Sequence, residues 1–188
     1  MKRKKTTGLK SITFIFALVI FISSAYYLNF LNLPTGSSVN ILKPSSVEVF
    51  FSPEDNNDLK VINLIDSANK SIDIAMYSFT LDKIGQAVVR AKQRGVKVRV
   101  VVEKQQVSKY SEYWRLIENN VSVFNDSNYA FMHDKFAVID GEIVLTGSYN
   151  WTKHATYYNN ENLLIIRNKE IAFKYEKEFE KIYLKASE

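Results

Sequence analysis

From Val47 onward the sequence predicts an α/β domain, a β-sheet covered by helices on both faces. Three observations predict it. Apolar and β-branched runs of strand length recur along the chain, and they alternate with segments whose apolar residues fall at helical spacing. One run, VKVRVVVEK at 96–104, has the composition of a strand buried between two layers. At 188 residues, with 46% apolar and 24% charged, the chain is long and apolar enough for one core of ordinary size.

The elements follow in order. VEVFFS, 47–52, reads as a strand, and Asp55 is placed to cap a helix that turns Leu59, Ile62, Leu64, Ile65 and Ala68 inward. SIDIAMYSF, 71–79, alternates apolar and polar residues as a strand does, and a helix from Leu81 to Gln93 is closed by Gly95. After the run at 96–104 come a helix around Tyr110 to Asn119, a strand at 121–124, a hairpin within 131–151, and a strand at 162–167. A last helix from Lys169 to Lys185 places Ile171, Tyr175, Phe179 and Ile182 on one stripe among Lys and Glu, so its charges form a solvated face.

Residues 1–33 are a separate object. The basic MKRKK precedes a segment with no charged residue between Lys10 and Lys43. Ile12 to Ile22 has the length of a signal-peptide core, with Ser23-Ser24-Ala25 offering small residues for cleavage. Counted on through Leu33, the stretch is long enough to cross a bilayer of about 30 Å as a retained anchor. Either way the positive-inside rule keeps MKRKK in the cytoplasm and exports the rest, as an anchored or a secreted or periplasmic domain. Residues 34–46, rich in serine with Pro34 and Gly36, read as a linker, leaving 47–188 as the working domain.

Composition narrows the chemistry. With no cysteine, disulfides, zinc-thiolate sites and a cysteine nucleophile are excluded, and two histidines argue against a multi-histidine metal centre. The net charge is +5, but Lys2, Arg3, Lys4, Lys5 and Lys10 carry it, leaving 20 of the 25 basic residues against 20 acids. Any site for a phosphate must therefore be made locally.

The hairpin FMHDKFAVIDGEIVLTGSYNW holds such a set. Asp140-Gly141 is a favoured pair for a two-residue type I′ turn, which sets Ile139 opposite Glu142, His133 opposite Ser148 and Lys135 opposite Thr146. In that register His133, Lys135, Thr146, Ser148 and Asn150 share one face. The set is rich in hydrogen-bond donors and suits an anion such as a phosphodiester. Lys135 and Asn150 can hold the non-bridging oxygens and His133 can attack phosphorus. Asp140 lies about 23 Å from His133 along an extended strand, so its job is the turn.

These residues resemble a known signature. H133-D-K135-FAVI-D140-GEIVLT-G147-S148-Y-N150 is similar to the HKD motif, H-x-K-x(4)-D-x(6)-G-S-x-N, of the phospholipase D superfamily, without gap or substitution. The chain also resembles the short single-motif members, among them bacterial endonucleases and the mitochondrial cardiolipin hydrolase group. The resemblance implies the mixed β-sheet of the phospholipase D-like fold and a phosphodiesterase that needs neither metal nor cofactor. It also implies a homodimer, because the family site uses two motifs and this chain has one. One His133 would form a phosphohistidine while the second protonates the leaving oxygen. Asn159-Asn160-Glu161-Asn162 fits a family pattern whose acid, here Glu161, orients the nucleophilic histidine.

Several readings stay open at this stage. Ser148 either binds phosphate or bonds to backbone, and Gly147 marks close backbone packing. The substrate expected first is DNA or RNA; a phospholipid is the alternative, and a non-catalytic phosphate-binding module the second. Arg90, Lys92, Arg94, Lys97 and Arg99 beside Tyr110, Tyr113 and Trp114 either hold a single strand or form a solvated helix end and core aromatics.

Overall fold

The computed structural model describes residues 45–188. The predicted membrane segment and the linker up to residue 44 lie outside the described residues. Within them the chain runs β1 (Ser46–Ser52), α1 (Asn57–Ser67), β2 (Ser71–Met76), α2 (Asp82–Gln93), β3 (Lys97–Val102), a 3-10 turn (Lys104–Gln106), α3 (Tyr113–Glu118), β4 (Ser122–Asn125), β5 (Lys135–Ile139), β6 (Ile143–Gly147), α4 (Lys153–Tyr157), β7 (Glu161–Arg167) and α5 (Lys169–Ala186). Among the described residues no helix is long and apolar enough to cross a membrane.

The strands form one seven-stranded sheet in the order β1-β7-β6-β5-β2-β3-β4. β2, β3 and β4 are parallel, as their helical crossovers require, and the remaining pairs are antiparallel. Helices α1, α2 and α3 bury Val61, Ile65, Ile84, Val88 and Leu116 against Ile72, Ile74, Val98, Val100, Ala137 and Leu145 on one sheet face. Helix α5 covers the other with Phe179 and Ala172 against Ala75, Val101, Phe136, Val138 and Val144. The stripe predicted for this last helix is the one that packs. The carboxyl ends of β2, β3 and β4 lie beside the start of β5, the end of β6 and the start of β7, at one end of the sheet, the usual place for a ligand in such folds.

Several local expectations change. Asp55 does not cap α1: its carboxylate turns back to accept the Phe51 N–H at 2.8 Å, and the helix starts after Asn56, whose φ of 52° supplies the turn. Leu64, Ile65 and Ala68 face inward as expected, but Leu59 is exposed: it lies two positions before the buried Val61, on the opposite side of the helix. The helix around Tyr110 shortens to six residues. Tyr110 and Trp114 are exposed, the Trp114 indole N–H folding back onto the Ser108 carbonyl at 3.0 Å, while Tyr113 packs against the core.

The hairpin turn forms where predicted, with φ of 56° at Asp140 and 68° at Gly141 and the Glu142 N–H on the Ile139 carbonyl at 3.0 Å. The register beyond it does not. Glu142 is left out of the ladder and Ile139 pairs with Ile143. Glu142 is held aside by the next junction, its carbonyl accepting the Asn168 N–H at 3.1 Å and its carboxylate meeting Lys169 at 2.8 Å. This one-residue shift pairs Phe136 with Thr146. Thr146 therefore faces α5, 3.5 Å from the Tyr175 hydroxyl, and leaves the face on which His133 and Lys135 were expected to join it.

Candidate active site

His133 and Asp134 precede β5 in a segment outside the ladder, so their backbone groups need other partners. The Tyr77 N–H takes the Asp134 carbonyl at 2.8 Å, and the Met132 N–H reaches the Glu103 carboxylate at 2.8 Å. The exposed His133 imidazole packs edge-on against the Tyr77 ring, centroids 4.4 Å apart. Lys135, first residue of β5, curls back: its Nζ donates to the His133 carbonyl at 2.8 Å, sits 3.3 Å from His133 Nδ1, and lies over the Tyr77 ring. Burial lowers the Lys135 pKa below the ordinary lysine value, against the opposing pull of the Asp134 and Glu161 charges. Asp134 points the other way. Desolvation and then the Glu178 charge, with which it shares a hollow, raise its carboxyl against the opposing pull of the Lys135 and His133 charges.

Asn150 reaches the same place from β6. Gly147 ends that strand at φ 147°, against the Asn162 carbonyl, which a Cβ there would meet at 2.3 Å. Only glycine admits this approach, and the close backbone packing read from the sequence is what the position contains. Beyond it the side chains of Tyr149 and Trp151 are buried, which leaves Ser148 and Asn150 on the opposite side. The Tyr149 hydroxyl meets Thr156 at 2.7 Å and burial pushes its pKa up to about 12. The Asn150 carbonyl oxygen accepts the Ser78 N–H at 3.2 Å, which orients its NH2 as the group left to donate. Tyr77 and Ser78 thus stand between the two ends of the hairpin and join them: His133 and Lys135 on the Tyr77 ring, Asn150 on the Ser78 amide.

Ser148 and Glu161 form a pair. The Ser148 hydroxyl donates to Glu161 Oε2 at 2.5 Å and accepts the Asn162 N–H at 3.0 Å, while Glu161 Oε1 takes the Asn159 amide at 3.0 Å. In this arrangement the Ser148 hydroxyl is engaged with a carboxylate and a backbone amide, and the Glu161 oxygens face Ser148 and Asn159 rather than the His133 ring. Glu161 is nonetheless near enough to act on Lys135 by its charge.

Asp140 is at the far end. Beyond shaping its own turn it accepts three backbone N–H groups from another segment: Lys70 at 2.7 Å, Ser71 at 3.0 Å and Asn69 at 3.0 Å. Burial opposes ionisation there, but the bonds from Ser71, Lys70 and Asn69 outweigh it and hold the carboxyl below the usual aspartate range. His154 is exposed beside Tyr158 and joins none of these groups. Among the described residues no group of three or more His, Asp or Glu is disposed to hold a metal ion.

The three arginines of the basic cluster are engaged within the fold. Arg90 grips Asp66 at 2.7 Å, Arg94 donates to the Ile65 carbonyl at 2.8 Å, and Arg99 bridges Asp73 and Glu180 at 2.8 and 2.7 Å. These arginines tie helices to one another and to the sheet, which leaves them no free fork for a phosphate.

Sequence reading missed Tyr77 and Glu103. Their signal was positional: each directly follows a buried strand of the parallel set, at the ligand-binding end of the sheet.

Comparison with known proteins gives the family of the chain. Residues 61–183 match the family model described as cardiolipin synthase, PLD-like domain. A phospholipase D from Rickettsia prowazekii is 31% identical over 88% of this chain and 87% of its own. The mitochondrial cardiolipin hydrolase of Xenopus tropicalis is 36% identical over 66% of this chain, a match spanning 60% of that protein's length. Among solved structures, the phospholipase D family member Nuc from Salmonella typhimurium superposes with a TM-score of 0.71 at 33% identity, covering 76% of this chain and 96% of that one. NucT from Helicobacter pylori gives 0.71 at 30% identity, covering 76% and 98%. By the family match over most of its length, and by relatives identical at about a third of the aligned residues, this chain belongs to the phospholipase D superfamily.

Proposed function

We propose that the protein hydrolyses phosphodiester bonds, in the first place those of DNA or RNA, at a site shared by two copies of the chain. The observation that carries the reading is the meeting of His133, Lys135 and Asn150 around Tyr77 and Ser78: a nucleophile, a cation and an amide donor at the open end of the sheet. Lys135 Nζ and the Asn150 NH2 bind the non-bridging oxygens and stabilise the charge that grows on them in the transition state. A ring nitrogen of His133 attacks phosphorus, forming a P–N bond as the P–O bond to the leaving group breaks. His133 of the second copy gives its proton to the leaving oxygen. Water then attacks phosphorus and passes a proton back to that second histidine, the P–N bond breaks, and the pair returns to its starting state. No metal is required by this scheme.

Two features support the shared site. Each chain supplies one such histidine, so acid and nucleophile must come from different copies. Beside the site, β1 and β7 carry an uncovered apolar face: Val47, Val49 and Phe51 are 56%, 49% and 55% exposed, next to the partly exposed Leu164 and Ile166. Helix α5 packs over the middle of the sheet and reaches Ile166, but among the described residues it leaves Val47, Val49 and Phe51 uncovered. Phe51 and Glu161 line one open hollow, so the bare face runs up to the site. A second copy packed there would bury it and bring the two histidines together.

Nucleic acid is put first because the chain resembles the compact Nuc and NucT, of which it covers 96% and 98%; size alone does not decide, since it also covers 87% of a phospholipase D. The similarity to a phospholipase D and a cardiolipin hydrolase supports a phospholipid as the second reading. One panel tests all of this: single-stranded DNA, duplex DNA, RNA and cardiolipin vesicles, each in excess EDTA, with His133→Ala alongside. Cleavage of a nucleic acid that persists in EDTA and falls roughly 10⁴-fold in His133→Ala is expected. Cleavage that requires added divalent metal, or survives the substitution, would overturn the mechanism; cleavage of cardiolipin alone would transfer the reading to lipid.

A further inference from the structure

We propose that Glu103 is a positioning residue for His133, holding both the backbone and the ring environment of the nucleophile; this rests on the reading of His133 as nucleophile. Glu103 follows β3 and is completely buried, yet none of the ion pairs formed among the described residues involves it. A buried acid without a cation is costly and normally answers to some fixed set of donors. Here the donors are two backbone amides. Oε2 accepts the N–H of Met132, the residue before His133, at 2.8 Å, and Oε1 accepts the N–H of Gln105 at 3.0 Å.

Each bond leads to His133 by a different route. The first is direct. Met132 is wedged by its side chain into the core beside Phe136 and Ala75, and its amide is fixed on Glu103, so the peptide that carries His133 is held from two sides. The second runs through the 3-10 turn. Gln105 is its middle residue, and the next, Gln106, donates its side-chain amide to the Tyr77 hydroxyl at 3.1 Å. The Tyr77 ring is the wall against which the imidazole rests at 4.4 Å and over which Lys135 lies at 5.1 Å. One carboxylate therefore fixes where the nucleophile's backbone starts and where its ring stops. Since His133 lies outside the β-ladder, the sheet itself does neither.

The test is Glu103→Gln, which keeps the volume but turns an NH2 toward one of the two N–H donors, so one bond must break. The expected result is a kcat about 100-fold lower with KM changed less than about threefold, because substrate contacts remain while the attack geometry is lost. Gln106→Met breaks only the Tyr77 route without touching the buried acid and should lower kcat about tenfold; it decides the matter if Glu103→Gln does not fold. A second readout does not depend on activity. His133 and His154 are the only histidines, and in imidazole-detected NMR of the full chain the His133 resonances should shift or broaden in both variants while those of His154 stay. Failure of the wild type to cleave any phosphodiester would sink the functional reading and leave the NMR result to judge the positioning. A kcat within twofold of wild type in folded Glu103→Gln, or an unmoved His133 resonance, would overturn the proposal.

Discussion

Lys135 holds its ammonium between the His133 carbonyl, the imidazole and the Tyr77 ring, and burial there lowers its pKa below that of a free lysine. A group that binds phosphate oxygens must be protonated to do so. A lowered pKa means that the proton is lost at a lower pH than in an ordinary lysine, so the alkaline limb of kcat/KM should be set by Lys135. Lys135→Arg keeps a positive charge at all accessible pH and should move that limb upward, while lowering the maximum because the wider guanidinium does not fit the same curl. A pH profile of kcat/KM for both proteins checks this; an unchanged alkaline limb would assign it to another group.

At the scale of the element, the hairpin is tied at its turn as well as at its catalytic end. Asp140 accepts the amides of Asn69, Lys70 and Ser71 and so clamps the turn of β5–β6 to the start of β2. Its folded pKa is depressed, so the clamp stabilises fully above the unfolded aspartate value of about 3.9 and is lost as pH falls through the lower folded value. Asp140→Asn should therefore cost about 1–2 kcal/mol at neutral pH, allowing for solvent exposure, with the gap to wild type closing below about pH 4. Activity of the folded variant should stay close to wild type. Urea unfolding at several pH values, beside the assay, separates these outcomes. The same hairpin shows what was legible in the sequence. The Asp-Gly turn, the alternation of strands and helices, and the separation of Asp140 from His133 could all be read, because each depends on neighbours in the chain. The register could not, since Glu142 is drawn out of the ladder by Asn168 and Lys169, nearly thirty positions later. Likewise Tyr77 and Glu103 acquire their place only when the loops after β2 and β3 meet the hairpin.

For the whole molecule, the bare face of β1 and β7 and the single motif histidine per chain, His133, lead to one expectation. Val49→Lys places a charge in the middle of that face, 49% exposed in the single chain, and should yield monomers by light scattering together with loss of activity, while the circular dichroism spectrum stays unchanged. Mixing adds a sharper check. When wild type is mixed with equal His133→Ala and subunits exchange, activity per wild-type chain should fall to about half, since half of the wild-type chains then sit in mixed pairs. Activity that simply follows wild-type concentration would mean that each chain works alone.

The clamp at Asp140 also bears on how the domain is assembled. Lys70 and Asp140 are 70 positions apart, and β2, inside the sheet, pairs with the central strand β5 from the other half of the chain. Contacts of such long range are closed late and at a high cost in loop entropy. During synthesis β2 must therefore wait, one edge open, until the hairpin has emerged. The catalytic end, which hangs from Tyr77 and Ser78 just past that edge, would be among the last parts to acquire its shape.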